Sequence, residues 1–140
     1  MIITRPSTIL HVEDEDLFHL AVVEGLEDAQ VSVNLHRARE GGEALHFLSN
    51  PAMPTLDLIL LDLFMYPMGG VEFLRQRQSL GPCIQKVPIV ILTTSTDARD
   101  QILAQNLGIE KNAFLEKPVQ YDDLVSILAK LGHMIVSERQ

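Results

Sequence analysis

A chain of 140 residues has the length of one domain, and 46% hydrophobic with 21% charged residues is an ordinary globular composition, with a core that must be aliphatic because aromatics are 5% and Trp is absent. A net charge of −8 with no basic run argues against a nucleic-acid surface. The lone Cys83 excludes an internal disulfide, and the short apolar runs exclude a signal peptide or bilayer span, so a cytoplasmic protein is expected.

Thr8 to Val12 is the first aliphatic run and predicts a strand. Asp16 to Ala29 carries Leu17, Ala21, Val22 and Leu26 at helical spacing, with Asp16 as its cap. Val31 to Ala38 alternates like a strand, and Gly42 to Leu48 is a short helix. Asn50 to Thr55 holds two prolines and predicts a loop. Leu56 to Leu61 is a central strand covered on both faces. Gly69 to Leu80 is a helix stopped by Gly81-Pro82. Val87 to Thr93 is a second buried strand with Pro88 at its start. Ala98 to Leu107 is a helix closed by Gly108. Asn112 to Lys117 is a short strand, and Val119 to about Ile135 a last helix with Leu124, Ile127, Leu128 and Leu131 on its apolar side.

Five strand-helix pairs in alternation predict an α/β fold, a parallel sheet with helices on both faces. Ligands of such sheets lie beyond the carboxyl ends of the strands. The chemically loaded residues stand there. The first strand ends in Glu13-Asp14-Glu15-Asp16 and the third in Asp62. Taken alone, the acidic run is a solvated helix start. If the two strands are neighbours, Glu13, Asp14 and Asp62 share one pocket, and carboxylates so close stay ionised only beside a cation. All-oxygen ligands select a hard ion such as Mg²⁺. The fourth strand adds Thr93-Thr94-Ser95 to the same edge, and the fifth adds Lys117-Pro118.

At this point the chain resembles the receiver domains of two-component response regulators. The resemblance is carried by Ile9-Leu10-His11-Val12-Glu13-Asp14, Ala38 to Leu45, Asp57 to Leu63, Ile89 to Thr93 and Phe114-Leu115-Glu116-Lys117-Pro118. From Asp14 to Asp62 is 48 positions, from there to Thr93 is 31, and from there to Lys117 is 24, in family order. A finer likeness is to small single-domain regulators paired with bacterial phytochromes and hybrid kinases. It rests on Leu60-Leu61-Asp62-Leu63, Leu92-Thr93-Thr94-Ser95 and the long loop before the third strand.

The resemblance implies one receiver domain over residues 1–140, flavodoxin-like, with a doubly wound five-stranded sheet in the order 2-1-3-4-5. It implies a phosphoacceptor at Asp62, charged by a histidine kinase of phytochrome or hybrid type. Glu13, Asp14, Asp62 and the backbone carbonyl of Phe64 would bind Mg²⁺. Lys117 would pair with Asp62 and then with phosphoryl oxygens. Thr93, rather than Thr94, would bond the phosphoryl group, and Phe114 would be the aromatic switch. Such a protein is no enzyme in the turnover sense: it assists its own phosphotransfer and slow dephosphorylation, then signals through a surface on the Ala98–Leu107 helix, the fifth strand and the last helix.

Departures from the family's pattern fall after the acceptor. Tyr66 stands where Pro is usual and Pro67 follows, Gly69-Gly70 replaces a common Asp-Gly, and Phe64 replaces the usual Asn. That loop is therefore expected to differ in shape. Phe64 and Ser95 flank the route of hydrolytic water, so Phe64 is expected to shield the acyl phosphate. Gly108 to Asn112 is about two residues longer than usual, which bears on the geometry near Phe114. His11, His19, His36, His46 and His133 lack metal-ligand spacing and are expected to be structural. Met134-Ile135-Val136 extends the last apolar face and suggests a homodimer; no DNA-binding segment or membrane contact is expected.

Three other readings compete. A haloacid-dehalogenase-type phosphatase needs a second Asp two residues past the nucleophile, where Phe64 stands. An FMN site needs a phosphate loop after the first strand, where four acids would repel the phosphate. A receiver-fold binding module that no longer takes phosphate would keep the fold without the chemistry.

Overall fold

The computed structural model describes residues 7–30, 32–94, 98–117 and 119–130. Its elements run β1 (Ser7–Val12), α1 (Asp16–Asp28), β2 (Val33–Ala38), α2 (Gly41–Ser49), β3 (Leu58–Asp62), α3 (Gly70–Arg77), α4 (Pro82–Gln85), β4 (Ile89–Thr93), α5 (Ala98–Asn106), a 3₁₀ turn (Lys111–Ala113), β5 (Phe114–Glu116) and α6 (Tyr121–Lys130). The five strands form one parallel sheet in the order β2-β1-β3-β4-β5, as expected for a flavodoxin-like receiver fold.

Strand periodicity divides the core into two layers. Leu10, Val12, Ile59, Leu61 and Ile91 pack with Ala44 and Leu48 of α2, Phe73 and Leu74 of α3 and Ala104 of α5. Their neighbours in sequence, Ile9, Leu58, Leu60, Val90 and Leu92, face Val22 and Leu26 of α1 and Leu124 of α6. Side chains of a strand alternate in direction, so an unbroken aliphatic run such as Leu58 to Leu61 serves both layers. Burying a side chain of this size is worth roughly 1.5–3 kcal/mol, so the central strands anchor the fold.

Several element edges differ from the sequence expectation, each for a local reason. Asp16 is the first residue of α1 rather than its cap; Glu15 takes the cap position without a side-chain bond, and Asp16 pairs with Arg37. The helix expected to run to Leu80 ends at Arg77, and Gly81-Pro82 does not stop it but opens the one-turn α4, because proline is well suited to the first helical position. Residues before Phe114 form a 3₁₀ turn, which absorbs the extra length there while leaving Ile91 opposite Phe114. Gly108 has φ +103°, the left-handed conformation that closes α5. The Tyr66–Pro67 peptide in the β3–α3 loop is cis. Val31, Ser95, Pro118, Leu131, His133 and Met134-Ile135-Val136 lie outside the described residues, as does the side chain of Leu128.

Among the described residues no helix is long and apolar enough to cross a membrane.

Candidate functional site

Register alone assembles the site. Val12 pairs with Leu61, so Glu13 stands beside Asp62, each at the end of its strand. Asp62 pairs with Leu92, which places Thr93 one step beyond. Thr93 pairs with Glu116, and the Lys117 N–H donates to the Thr93 carbonyl at 2.8 Å. Parallel strands thus deliver an acid, the lone aspartate, a hydroxyl and a lysine to one carboxyl edge.

The side chains converge. The Lys117 ammonium lies 2.8 Å from Glu13 Oε1 and 3.1 Å from Asp62 Oδ2, with only 6% of the lysine side chain exposed. Carboxylate oxygens of Glu13, Asp14 and Asp62 all lie within 4.8 Å of one another. The Phe64 N–H donates to Asp62 Oδ1 at 3.1 Å. Glu13 is fully buried, which pushes its carboxyl up to about 7; Lys117 opposes that shift and the neighbouring Asp62 charge adds to it. Burial raises Asp62 as well, against the pull of Lys117 and the Phe64 N–H. One ammonium therefore does not balance three clustered carboxylates. Hard oxygen donors with a surplus of negative charge fit a divalent cation, and Glu13, Asp14 and Asp62 are the side chains placed to hold it.

Thr93 is buried, and its hydroxyl donates to the Thr94 carbonyl at 3.1 Å, whereas Thr94 is exposed. Phe114 is half-buried and packs against the α2/α3/α5 core layer. Phe64 is 59% exposed, beside the acceptor edge.

Three residues of the site escaped the sequence reading. Arg37 donates to the Glu13 carbonyl from Nε at 3.1 Å and from Nη2 at 2.9 Å, and to Asp16 Oδ1 at 2.7 Å, so it pins the acidic turn. The register that sets Arg37 opposite His11 across β1 and β2 is a property of the folded sheet, and no signal in the sequence marks it. Glu40 Oε1 accepts from the N–H groups of Gly42 (2.7 Å) and Met68 (3.2 Å), tying α2 to the loop after Asp62. Phe18 of α1 lays its ring over the Lys117 ammonium, 4.1 Å from ring centroid to Nζ. Beneath the site His11 is buried, its ring stacked on His19 with the Nδ1 atoms 2.9 Å apart. Burial holds His11 down to about 3, with the charges of His19, Lys117 and Arg37 adding to it, so its ring is neutral.

Residues 9–129 match the family model of the response regulator receiver domain. Response regulator Rcp1 of Synechocystis sp. is 32% identical over 88% of this chain and 84% of its own length. A solved Mn²⁺-bound form of Rcp1 aligns over 96% of this chain and all of its own, at 29% identity and TM-score 0.73. The bacteriophytochrome response regulator AtBRR is 27% identical and covers 98% of this chain and all of its own, with TM-score 0.77. The chain spans less than half, 48%, of a Picosynechococcus sp. protein named as a probable transcriptional regulatory protein, at 30% identity. Strand order, the gathered acids and this match agree: the chain belongs to the receiver domain family of response regulators, the phosphorelay modules of two-component systems.

Proposed function

We propose that this chain accepts a phosphoryl group on Asp62 from a histidine kinase, with Mg²⁺ held by Glu13, Asp14, Asp62 and the Phe64 carbonyl. The observation that carries this reading is the Lys117 ammonium set between Glu13 and Asp62, with Asp14 in the same cluster. A buried lysine paired to the nucleophile's own oxygen is poised to neutralise charge that arrives there.

In the proposed reaction an Asp62 oxygen forms a bond to phosphorus as the P–N bond of a phosphohistidine breaks, and the electron pair returns to the imidazole. Positioning and charge neutralisation carry such a transfer. The cation, when bound, supplies positive charge to the phosphoryl oxygens. Lys117 turns from the carboxylates to an oxygen of the new group, and the Thr93 hydroxyl donates to another. Phe114, half-buried, turns further inward as Thr93 moves, which shifts the population between two surfaces. The same residues then govern slow hydrolysis of the acyl phosphate.

A kinase of phytochrome type is supported by the names of two solved structures similar to this chain, the bacteriophytochrome response regulator AtBRR and the phosphorylated cyanobacterial phytochrome response regulator RcpA, the latter 26% identical with TM-score 0.72. One receiver domain over residues 1–140 is supported by full coverage of the AtBRR chain. Exposed Ile102 on α5 is available to a homodimer contact, which light scattering reads. The net charge of −8 weighs against nucleic acid as the target.

The test is incubation with acetyl phosphate and Mg²⁺, followed by intact mass. One phosphoryl addition is expected, abolished in Asp62→Asn. No addition to the wild type, with Mg²⁺ bound, would leave the binding-module reading in its place.

A further inference from the structure

Lys117 has a third neighbour besides its two carboxylates. Its backbone is fixed by the bond to the Thr93 carbonyl, and its side chain is almost wholly enclosed. The ammonium is ion-paired to Glu13 Oε1 at 2.8 Å and to Asp62 Oδ2 at 3.1 Å. The Phe18 ring lies against the ammonium from the α1 side, at 4.1 Å. An aromatic face attracts a cation through its quadrupole, and more strongly where water is excluded. It differs from any polar neighbour in one respect: it offers no oxygen. It can hold the charge without occupying an N–H that a phosphoryl oxygen needs.

The ring is itself held in place. Phe18 sits in the first turn of α1, two residues after Asp16. Arg37 fastens that turn by bonding Asp16 and the Glu13 carbonyl together. The turn that carries the half-buried ring is thereby fixed over the strand ends, and the ring face lies against the enclosed ammonium.

We propose that Phe18 is a positioning residue for phosphoryl transfer, its ring face holding the Lys117 ammonium against Glu13 and Asp62. This rests on the reading of Asp62 as acceptor and Lys117 as its cation. A plain packing role would need only bulk at this position, and the two ideas part in their response to ring electronics.

The experiment replaces Phe18 in the full chain with mono-, di- and trifluorinated phenylalanine, which drains the ring face at nearly constant shape. Phosphorylation by acetyl phosphate with Mg²⁺ is timed by intact mass, and the shift of the Lys117 Cε protons, moved upfield by the ring current, reports the contact without any phosphoryl donor. The expected result is a stepwise fall in rate, roughly three- to tenfold across the series, with the upfield shift retained. Phe18→Leu should fall at least as far. A rate indifferent to fluorination would overturn the proposal and leave the acceptor reading standing. A wild-type chain that takes no phosphate removes the acceptor reading, and this proposal with it.

Discussion

Phe64 stands two residues past Asp62, gives its N–H to the acceptor carboxylate and leaves 59% of itself exposed at the rim of the site. A phenyl ring there can neither donate to an attacking water nor accept from it, which is the ground for proposing that Phe64 shields an acyl phosphate on Asp62. Phe64→Asn should shorten the phosphoryl half-life by about three- to tenfold, on the scale of a modest change in barrier. The measurement is decay of the phosphorylated mass after removal of the donor; an unchanged or longer half-life rejects the shielding. The residues with acid, hydroxyl or ammonium chemistry were legible in the sequence because each ends a strand: Glu13, Asp14, Asp62, Thr93 and Lys117 all arrive where register alone puts them. Phe18 and Arg37 were not. Phe18 belongs to a helical apolar pattern that bulk alone explains, and nothing in a linear sequence says which strand end a helix residue will cover. Arg37 sits in a strand whose alternation gives its face but not its reach to the Glu13 carbonyl.

The elements around Asp62 are joined by close approach rather than by bulk. Gly70 opens α3 directly against the end of β3, where a Cβ would stand 2.6 Å from the Asp62 carbonyl oxygen and 2.8 Å from Leu63 Cα. Both contacts are backbone, which cannot swing aside. Gly70→Ala should cost about 1–3 kcal/mol in urea unfolding, the range of an overpacked site. Wild-type stability in that variant would show that α3 can retreat without cost. The pair Gly69-Gly70 was visible in the sequence only as a departure from the family's loop. The reason for Gly70 becomes visible once β3 and α3 are seen in contact. The misjudged α4 has a similar origin. Glycine and proline in succession can mark the stop of one helix or the start of another; here they are only the start, and four residues carry too little periodicity to tell the two apart.

At the scale of the whole molecule, an acidic chain of net charge −8 concentrates three of its carboxylates in one cluster and buries Glu13 completely. The folded chain keeps a proton on Glu13 up to about pH 7, where the unfolded chain releases it near 4.5. The folded state thus binds more protons in that window, and this contribution to stability is full below pH 4.5 and is lost as pH rises through about 7. If the proposed divalent cation is held by Glu13 it competes with that proton, and its binding is then expected to strengthen as pH rises through the same window. Mg²⁺ should therefore raise Tm by several degrees at pH 8 and by clearly less at pH 5.5, followed by scanning calorimetry at fixed ionic strength. Equal shifts at the two pH values would mean that Glu13 is not part of the cation site. The two-layer sheet was legible throughout, because aliphatic runs that serve both faces are distinctive. Element edges were less so, since capping depends on partners that only the folded chain supplies. On the proposed reading, folding makes Asp62, among all the acids, the one that takes phosphate. Borohydride reduction of the acetyl-phosphate-treated protein, followed by peptide sequencing in the mass spectrometer, tests it directly. Reduction is expected at position 62 alone and only when Mg²⁺ is present; reduction at another acid, or the same yield with the cation chelated, would rule out Asp62 as the cation-assisted acceptor.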